Sequence, residues 1–342
     1  MSPKSFAVLS LLTAAALFAA LTMIAGDRGE GLAAGEGEAA IPGLLQKAND
    51  AGKIIIEHAD GKITLTSGPA GWTVEEGSGY AARTVKIKRS VLGLAQLTLS
   101  EPKTRLERKF AKLELLDPTT KGANSKRVRL FDKAGKSIGD IIVGKRRPSL
   151  AGTTGGGLYV RRPGEDQTWL AAGDADISKD IVDWLEQKIV HLDSNRVKHV
   201  AIRHPDGETV NVAKAAPEES LFALYSMPKG KKLISETEPT TIGGALENLV
   251  LDDVKKEADA DPFDPAKTIT IDFTTFDGLM VRVRLFKQGD AYGLTIEASG
   301  DHEDVATITQ RTKGWVYRIA DYTASTFTRR MKDLVEDAKP KS

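Results

Sequence analysis

The chain has no cysteine. That excludes disulfides, thiolate metal sites, a cysteine nucleophile and a lipoprotein anchor, and it is compatible with an oxidising compartment. It also lacks an excess of either charge. With 48 basic and 47 acidic side chains the net charge is +1, which argues against a dedicated nucleic-acid binder. Catalytic signatures are missing too. No G-x-S-x-G occurs, and His302-Glu303 opens like a zincin helix but has Ala306 where the second histidine belongs. The glycine-rich Gly152–Gly157 (GTTGGG) lacks the Lys-Ser/Thr ending of a phosphate loop and precedes a strand pattern, so it reads as a hairpin loop.

What is present is an ordinary globular composition, 41% hydrophobic and 28% charged over 342 residues, enough for two domains with full cores. Phe6 to Ala25 carries no charge. As a helix it would span about 30 Å, the thickness of a bilayer core. Lys4 precedes it, while Asp27, Arg28 and Glu30 follow. The positive-inside rule then puts the amino terminus in the cytoplasm and the remainder outside. The reading is a signal anchor over residues 1–26; a cleaved signal peptide and a buried soluble helix are its alternatives. Residues 27–52 read as a flexible linker, because Asp27–Ala40 is glycine, alanine and glutamate with nothing to bury.

Hairpin patterns follow. Ile54-Ile55-Ile56 runs through His58 and Asp60-Gly61 into Ile63–Thr66, and Gly71–Val74 suggests a third strand. Ser90–Leu99 reads as a helix capped by Ser90, and Leu106–Leu116 is ambiguous. Arg127–Leu130 with Ile138–Val143, then Leu158–Val160 with Thr168–Leu170, read as strand pairs. Ile177, Ile181, Trp184, Leu185, Ile189 and Leu192 predict a helix.

The second half repeats the order: Val200–Ile202, His204-Pro205-Asp206-Gly207, Thr209–Val212, a helix through Ile242, Leu246, Leu249 and Val250 capped by Thr240 or Thr241, and a hairpin over Ile269–Leu285. Tyr292–Leu294, Trp315–Tyr317 and a helix through Phe327, Met331, Leu334 and Val335 complete it. The interval from His58 to His204 equals that from Trp169 to Trp315. The expectation is α+β: two tandem copies, residues 53–195 and 196–338, of an antiparallel-sheet-plus-helix domain behind one transmembrane helix.

Through Gly71–Val74, Leu116-Asp117-Pro118, Arg127–Leu130, Ile141–Gly144 and Leu158–Arg161 the chain resembles a family of bacterial membrane-anchored proteins known as domain of unknown function 4340. The resemblance runs from about Ile54 to Leu192 and is weaker over the second copy. Leu115-Leu116 departs from the glycine-leucine pair usual before the proline step. What the resemblance implies is a periplasmic domain on a single inner-membrane helix, near ABC-type export or gliding-motility permeases. It supplies no catalytic residues.

Candidate sites are few. Lys145, Arg146 and Arg147, with Arg161 and Arg162 across the loop, form the densest basic cluster, a contact for a partner or for lipid headgroups if it is more than a solvated face. His58 and His204 are expected at solvated hairpin rims, with Asp60 and Asp206 setting the turns. Asp259, Asp261 and Asp264 suggest calcium but lack the central glycine, so a proline-stiffened linker is the better reading. Trp72, Trp169, Trp184 and Trp315 read as core; exposed, they would offer a carbohydrate platform. No cofactor, metal or small-molecule substrate is indicated. The expected function is a non-enzymatic periplasmic accessory of a membrane transport or envelope complex. The rivals are an envelope-glycan or peptidoglycan module and an unrecognised hydrolase.

Overall fold

The structure, a computed structural model, describes residues 35–150, 155–260 and 262–338. The apolar run Phe6–Ala25, Gly152–Thr154 and Asp261 lie outside them. Among the described residues no helix is long and apolar enough to cross a membrane. What is described is mostly antiparallel β-sheet with few helices.

Contacts divide the chain into two compact units. One holds the described residues up to Ser67 together with Ile87–Lys179; the other holds Gly68–Lys86 and everything from Asp180 onward. The chain therefore lends a strap, Gly68–Lys86, to the second unit before returning to the first.

In the first unit a one-turn helix α1 (Leu44–Lys47) leads into β1 (Ala51–His58) and β2 (Gly61–Gly68), paired His58 to Gly61 across the Ala59-Asp60 turn. The strap carries a small hairpin, β3 (Gly71–Val74) with β4 (Tyr80–Ala81). Helix α2 (Thr84–Gln96) follows, then β5 (Thr98–Pro102), β6 (Lys126–Asp132), β7 (Ser137–Arg147), β8 (Gly157–Arg161) and β9 (Thr168–Ala172). Their order in the sheet is β2-β1-β6-β7-β8-β9-β5. Alternate residues Ile54 and Ile56, Val128 and Leu130, Ile141 and Val143, and Leu158 and Val160 are buried, as the two-residue period of a strand requires. Ile87, Val91 and Leu94 form the buried stripe of α2. That helix starts six residues before Ser90. Ser90 is buried within it, and its hydroxyl donates to the Asp176 carbonyl at 2.7 Å.

The ambiguous stretch Leu106–Leu116 is a 3₁₀ helix, Glu107–Leu113, ending at Glu114 with φ 56°. Phe110 and Leu115 bury Ile142, which points away from Ile141 and Val143. Gly144 makes this possible, because a Cβ there would stand 2.4 Å from the Leu113 carbonyl and 2.5 Å from that of Glu114. Part of the expected linker is also ordered. Gly37 donates to Leu99, Leu99 to Glu38 and Ala40 to Leu97, each at 2.8 Å. Residues 37–40 thus satisfy backbone groups of the edge strand β5, and Ala40, Ile41 and Leu44 are buried beyond it.

The second unit contains β10 (Lys188–Val190), β11 (Val197–Arg203), β12 (Thr209–Ala213), β13 (Ala223–Tyr225), β14 (Lys231–Leu233), helix α3 (Glu238–Gly243), β15 (Leu249–Val250), β16 (Asp253–Lys256), β17 (Ile269–Thr275), β18 (Leu279–Gln288), β19 (Ala291–Gly300), helix α4 (Asp304–Thr312), β20 (Trp315–Ile319), helices α5 (Asp321–Phe327) and α6 (Met331–Leu334), and β21 (Val335–Asp337). The main sheet runs β13-β12-β11-β17-β18-β19-β20-β16; β10 pairs β15, and β14 pairs β21. Leaving out the terminal β13 here and the strap hairpin β3–β4 from the first sheet, the seven remaining strands follow one order in both: second, first, fourth, fifth, sixth, seventh and third in chain order.

Three expected helices are corrected. Ile177–Leu192 forms a 3₁₀ turn, Val182–Trp184, and the strand β10. Its apolar spacing imitates a helix, yet its donors go elsewhere: Glu186 donates to the strap at Ala81, and Leu192 to Leu246. The helix expected through Val250 ends at Gly243, because Leu249 and Val250 pair with β10; Thr240 and Thr241 lie inside it. The last helix is two short ones separated by Thr328–Arg330, with Val335 in β21.

Candidate functional site

The basic residues do not form one cluster. Arg146 and Arg147 face Leu158 and Gly157 across β7–β8, while Arg161 faces Ile142. Five strand positions, roughly 16 Å, separate Arg147 from that level. Arg161 stacks over Phe110 at 5.0 Å. Arg162 donates to the carbonyls of Ala39 at 3.0 Å and Ala40 at 3.1 Å. Both hold the fold, and Arg146 is paired with Asp174. Lys145 and Arg147 project as exposed cations.

The hairpin histidines are turned inward, correcting the expected solvated rims. Each continues the buried alternation of its strand, after Ile54 and Ile56 or after Val200 and Ile202. His58 has a side chain 10% exposed, 3.9 Å from Asp60. Burial lowers its pKa against the opposing pull of Asp60. His204 is 6% exposed, and its Nε2 donates to the Arg329 carbonyl at 3.0 Å. Asp206 accepts from the Glu208 amide, as a turn-setting residue should, and also from Arg330 at 2.7 Å. Asp264 accepts from the Ala266 amide at 2.9 Å and so caps a 3₁₀ turn. Among the described residues no three His, Asp or Glu side chains converge as a metal site would need.

A fourth cluster escaped the sequence. Arg196 donates to Asp277 at 2.8 Å and pairs with Asp304 at 2.9 Å, and its second amino group lies 3.2 Å from His302 Nε2. The Asp304 amide donates to the other ring nitrogen, Nδ1, at 3.1 Å. Burial opposes ionisation of Asp277, but the Thr275 hydroxyl and Arg196 outweigh it and hold the pKa at about 2, against 3.8 ordinarily. The lowered pKa contributes stability above pH 3.8 that is lost as the pH falls through 2. Because Asp277 is 38% exposed, solvent screening cuts the effect to about 1 kcal/mol. Asp277→Asn is expected to flatten the stability–pH curve between those values in acid-denaturation titrations; an unchanged slope would show that the cluster does not couple to folding.

One concavity lies wholly within the second unit. It is a groove of about 440 Å³. Arg284 on β18 and Thr295 on β19 are cross-strand partners, and Arg284 donates to Glu297 two residues further along β19. The far wall is the end of α4, Thr309 and Thr312, with the Lys313-Gly314 turn and Trp315; Glu257 and Phe263 close the rim. Thr312 anchors α4 to β19 by donating to the Ile296 carbonyl at 3.1 Å. Phe263 is fixed by stacking on Phe286 at 4.6 Å. Tyr80 of the strap meets Trp315 edge-on at 5.0 Å. A second groove of about 470 Å³, lined by Lys256, Ala258 and Trp315, shares Glu257, Lys313 and Gly314 with the first. Trp169 and Trp184 are buried, whereas Trp72 and Trp315 are half-buried. Sequence reading had marked Trp315 here but missed Arg284, Glu297, Lys313 and Phe263, which look like ordinary surface or linker residues.

The fold is thus a pair of antiparallel-sheet units with sparse helices. The chain matches the family described as Domain of unknown function (DUF4340) over residues 72–268, more than half its length. It belongs to that family. The matched region starts in the strap and ends within the second unit, so it extends beyond the Leu192 limit expected above. No curated protein and no solved structure matches the chain.

Proposed function

We propose that this DUF4340 protein is a membrane-anchored accessory of the bacterial envelope, acting outside the inner membrane by contact rather than catalysis. Residues 6–25 would anchor it, with the amino terminus cytoplasmic and both units periplasmic. Its partner would be a membrane protein such as a transport permease. The equal strand orders of the two sheets support an origin by duplication, and family membership supports a shared architectural role.

The observation that carries the contact role is a set of exposed apolar side chains on and beside the last strand of the second unit's main sheet. Leu221, Tyr225 and Met227, on β13 or within two residues of it, are each between 41% and 53% exposed. Tyr225 lies on β13, which among the described residues pairs only with β12 and ends the sheet. Apolar groups carried on and beside an edge strand favour addition of a strand from another protein.

A photo-crosslinking residue at Tyr225 in the full-length chain, expressed in its native membrane, tests this. The expected product is a crosslink to an integral membrane protein that Leu221→Asp abolishes while the fold stays intact. Recovery of the full-length chain as a soluble cytoplasmic protein would defeat the anchored reading. Absence of any crosslink at Tyr225 would defeat the edge as its contact.

A further inference from the structure

The groove beside Trp315 has a composition that narrows its ligand, and we propose that it binds a neutral saccharide, one sugar ring resting against the indole. The inference stands on the second unit's geometry alone and does not need the accessory role.

Charge decides the class. Arg284 and Lys313 bring two cations to the groove, while Glu257 and Glu297 bring two anions. A phosphate or carboxylate ligand would meet the two glutamates, and a cationic ligand would meet Arg284 and Lys313. Charges of both signs are mixed in the lining, Arg284 being paired with Glu297, so no ligand of a single charge sign suits the set. A hydroxyl-rich neutral ligand does. Its hydroxyls donate to the carboxylates and accept from guanidinium, ammonium and threonine O–H groups, and such charge-assisted bonds are the strong ones. Arg284 and Glu297 already hold each other in place, which removes part of the ordering cost of binding.

The indole supplies the other half of the match. A pyranose has an apolar C–H face, and a flat aromatic ring is its complement. Trp315 is held from the side by Tyr80, whose ring is inclined at 83° to it, and by pairing with Lys256 on β16. The groove volume of about 440 Å³ falls in the range of small-molecule sites. Trp315 also lines the adjoining groove, so a chain of sugars has a path from one to the other.

The test is a titration of the full-length chain in detergent micelles with neutral tetrasaccharides: β-1,4-linked glucose, β-1,4-linked N-acetylglucosamine and α-1,4-linked glucose. Saturation-transfer NMR and calorimetry would read the binding. Binding of at least one is expected, weakened about tenfold or more by Trp315→Ala. Since Trp315 touches Tyr80, Glu297→Ala provides a second variant, for its side chain is 56% exposed. It should weaken binding about threefold or more and leave the melting temperature unchanged. No binding tighter than about 10 mM for any of the three would overturn the proposal. So would wild-type affinity in both variants, or equal competition by an unrelated acidic or basic peptide.

Discussion

Replacing Tyr80 with alanine is expected to lower the unfolding free energy by about 3–5 kcal/mol, while phenylalanine at the same position is expected to be neutral or stabilising. Tyr80 is 2% exposed and sits at the start of β4 in the strap. Its ring packs edge-on against Trp315 at 5.0 Å and Tyr317 at 6.0 Å, so removing it opens a cavity walled by those two aromatic rings. The hydroxyl tells a different story. It is buried without a well-aligned hydrogen bond, and burial pushes the phenol pKa up, an effect that the neighbouring Tyr317 hydroxyl and Arg311 only partly offset. Deleting a buried polar atom whose only neighbours are poorly aligned removes a desolvation penalty at little cost in bonding. Denaturant titration of the two variants separates the contributions. In Tyr80→Ala the loop between β3 and β4, Glu75–Gly79, should also become a site of protease cleavage, because its anchor is gone. A Tyr80→Ala protein as stable as the parent would mean that the strap is held by its backbone bonds alone.

The strap explains much of what was and was not readable in the sequence. Local features were legible. Asp60-Gly61 and Asp277-Gly278 announce hairpins because the turn chemistry sits inside the turn, and β6–β7 and β17–β18 announce themselves by alternation. The segment Ile177–Leu192 was not legible. Ile177, Ile181, Trp184 and Leu185 have helical spacing, but the choice between helix and extended chain depends on Ala81, Leu246 and Val250, which lie far away in sequence. Inward histidines failed for a related reason: a histidine closing an apolar alternation stays on the core side of the strand even beside a polar turn. At the groove only Trp315 carried a signal. Arg284 and Glu297 become neighbours because β18 and β19 pair in one particular register, and Phe263 hides among the acids and prolines of a linker. Gly144 is the reverse case. Its place in the Ile141–Gly144 motif has a mechanical reason, the close approach of the 3₁₀ helix, that no strand propensity would supply.

Trp184→Ala is the second large effect expected, again about 3–5 kcal/mol. The side chain is 1% exposed and among the largest fully buried in the protein. Its surroundings set the magnitude. The Trp184 carbonyl accepts from the Arg83 amide at 2.7 Å, and Glu186 donates to Ala81 at 2.9 Å, so the backbone of Trp184 and of Glu186 grips the strap. The Lys86 ammonium lies 5.1 Å above the ring, a cation–π contact worth about 0.5–1 kcal/mol. Lys86→Ala should therefore cost far less than Trp184→Ala. If the two cost the same, the cation rather than the buried indole would be the source of stability. Tyr80 and Trp184 hold the same strap at different points, one by its hairpin and one near its exit into α2. Their alanine variants should consequently combine with a coupling of about 0.5–3 kcal/mol, where sites that share no partner would add. Once either anchor is lost, less of the strap remains for the other to hold, so the double variant should be more stable than the sum of the single losses predicts.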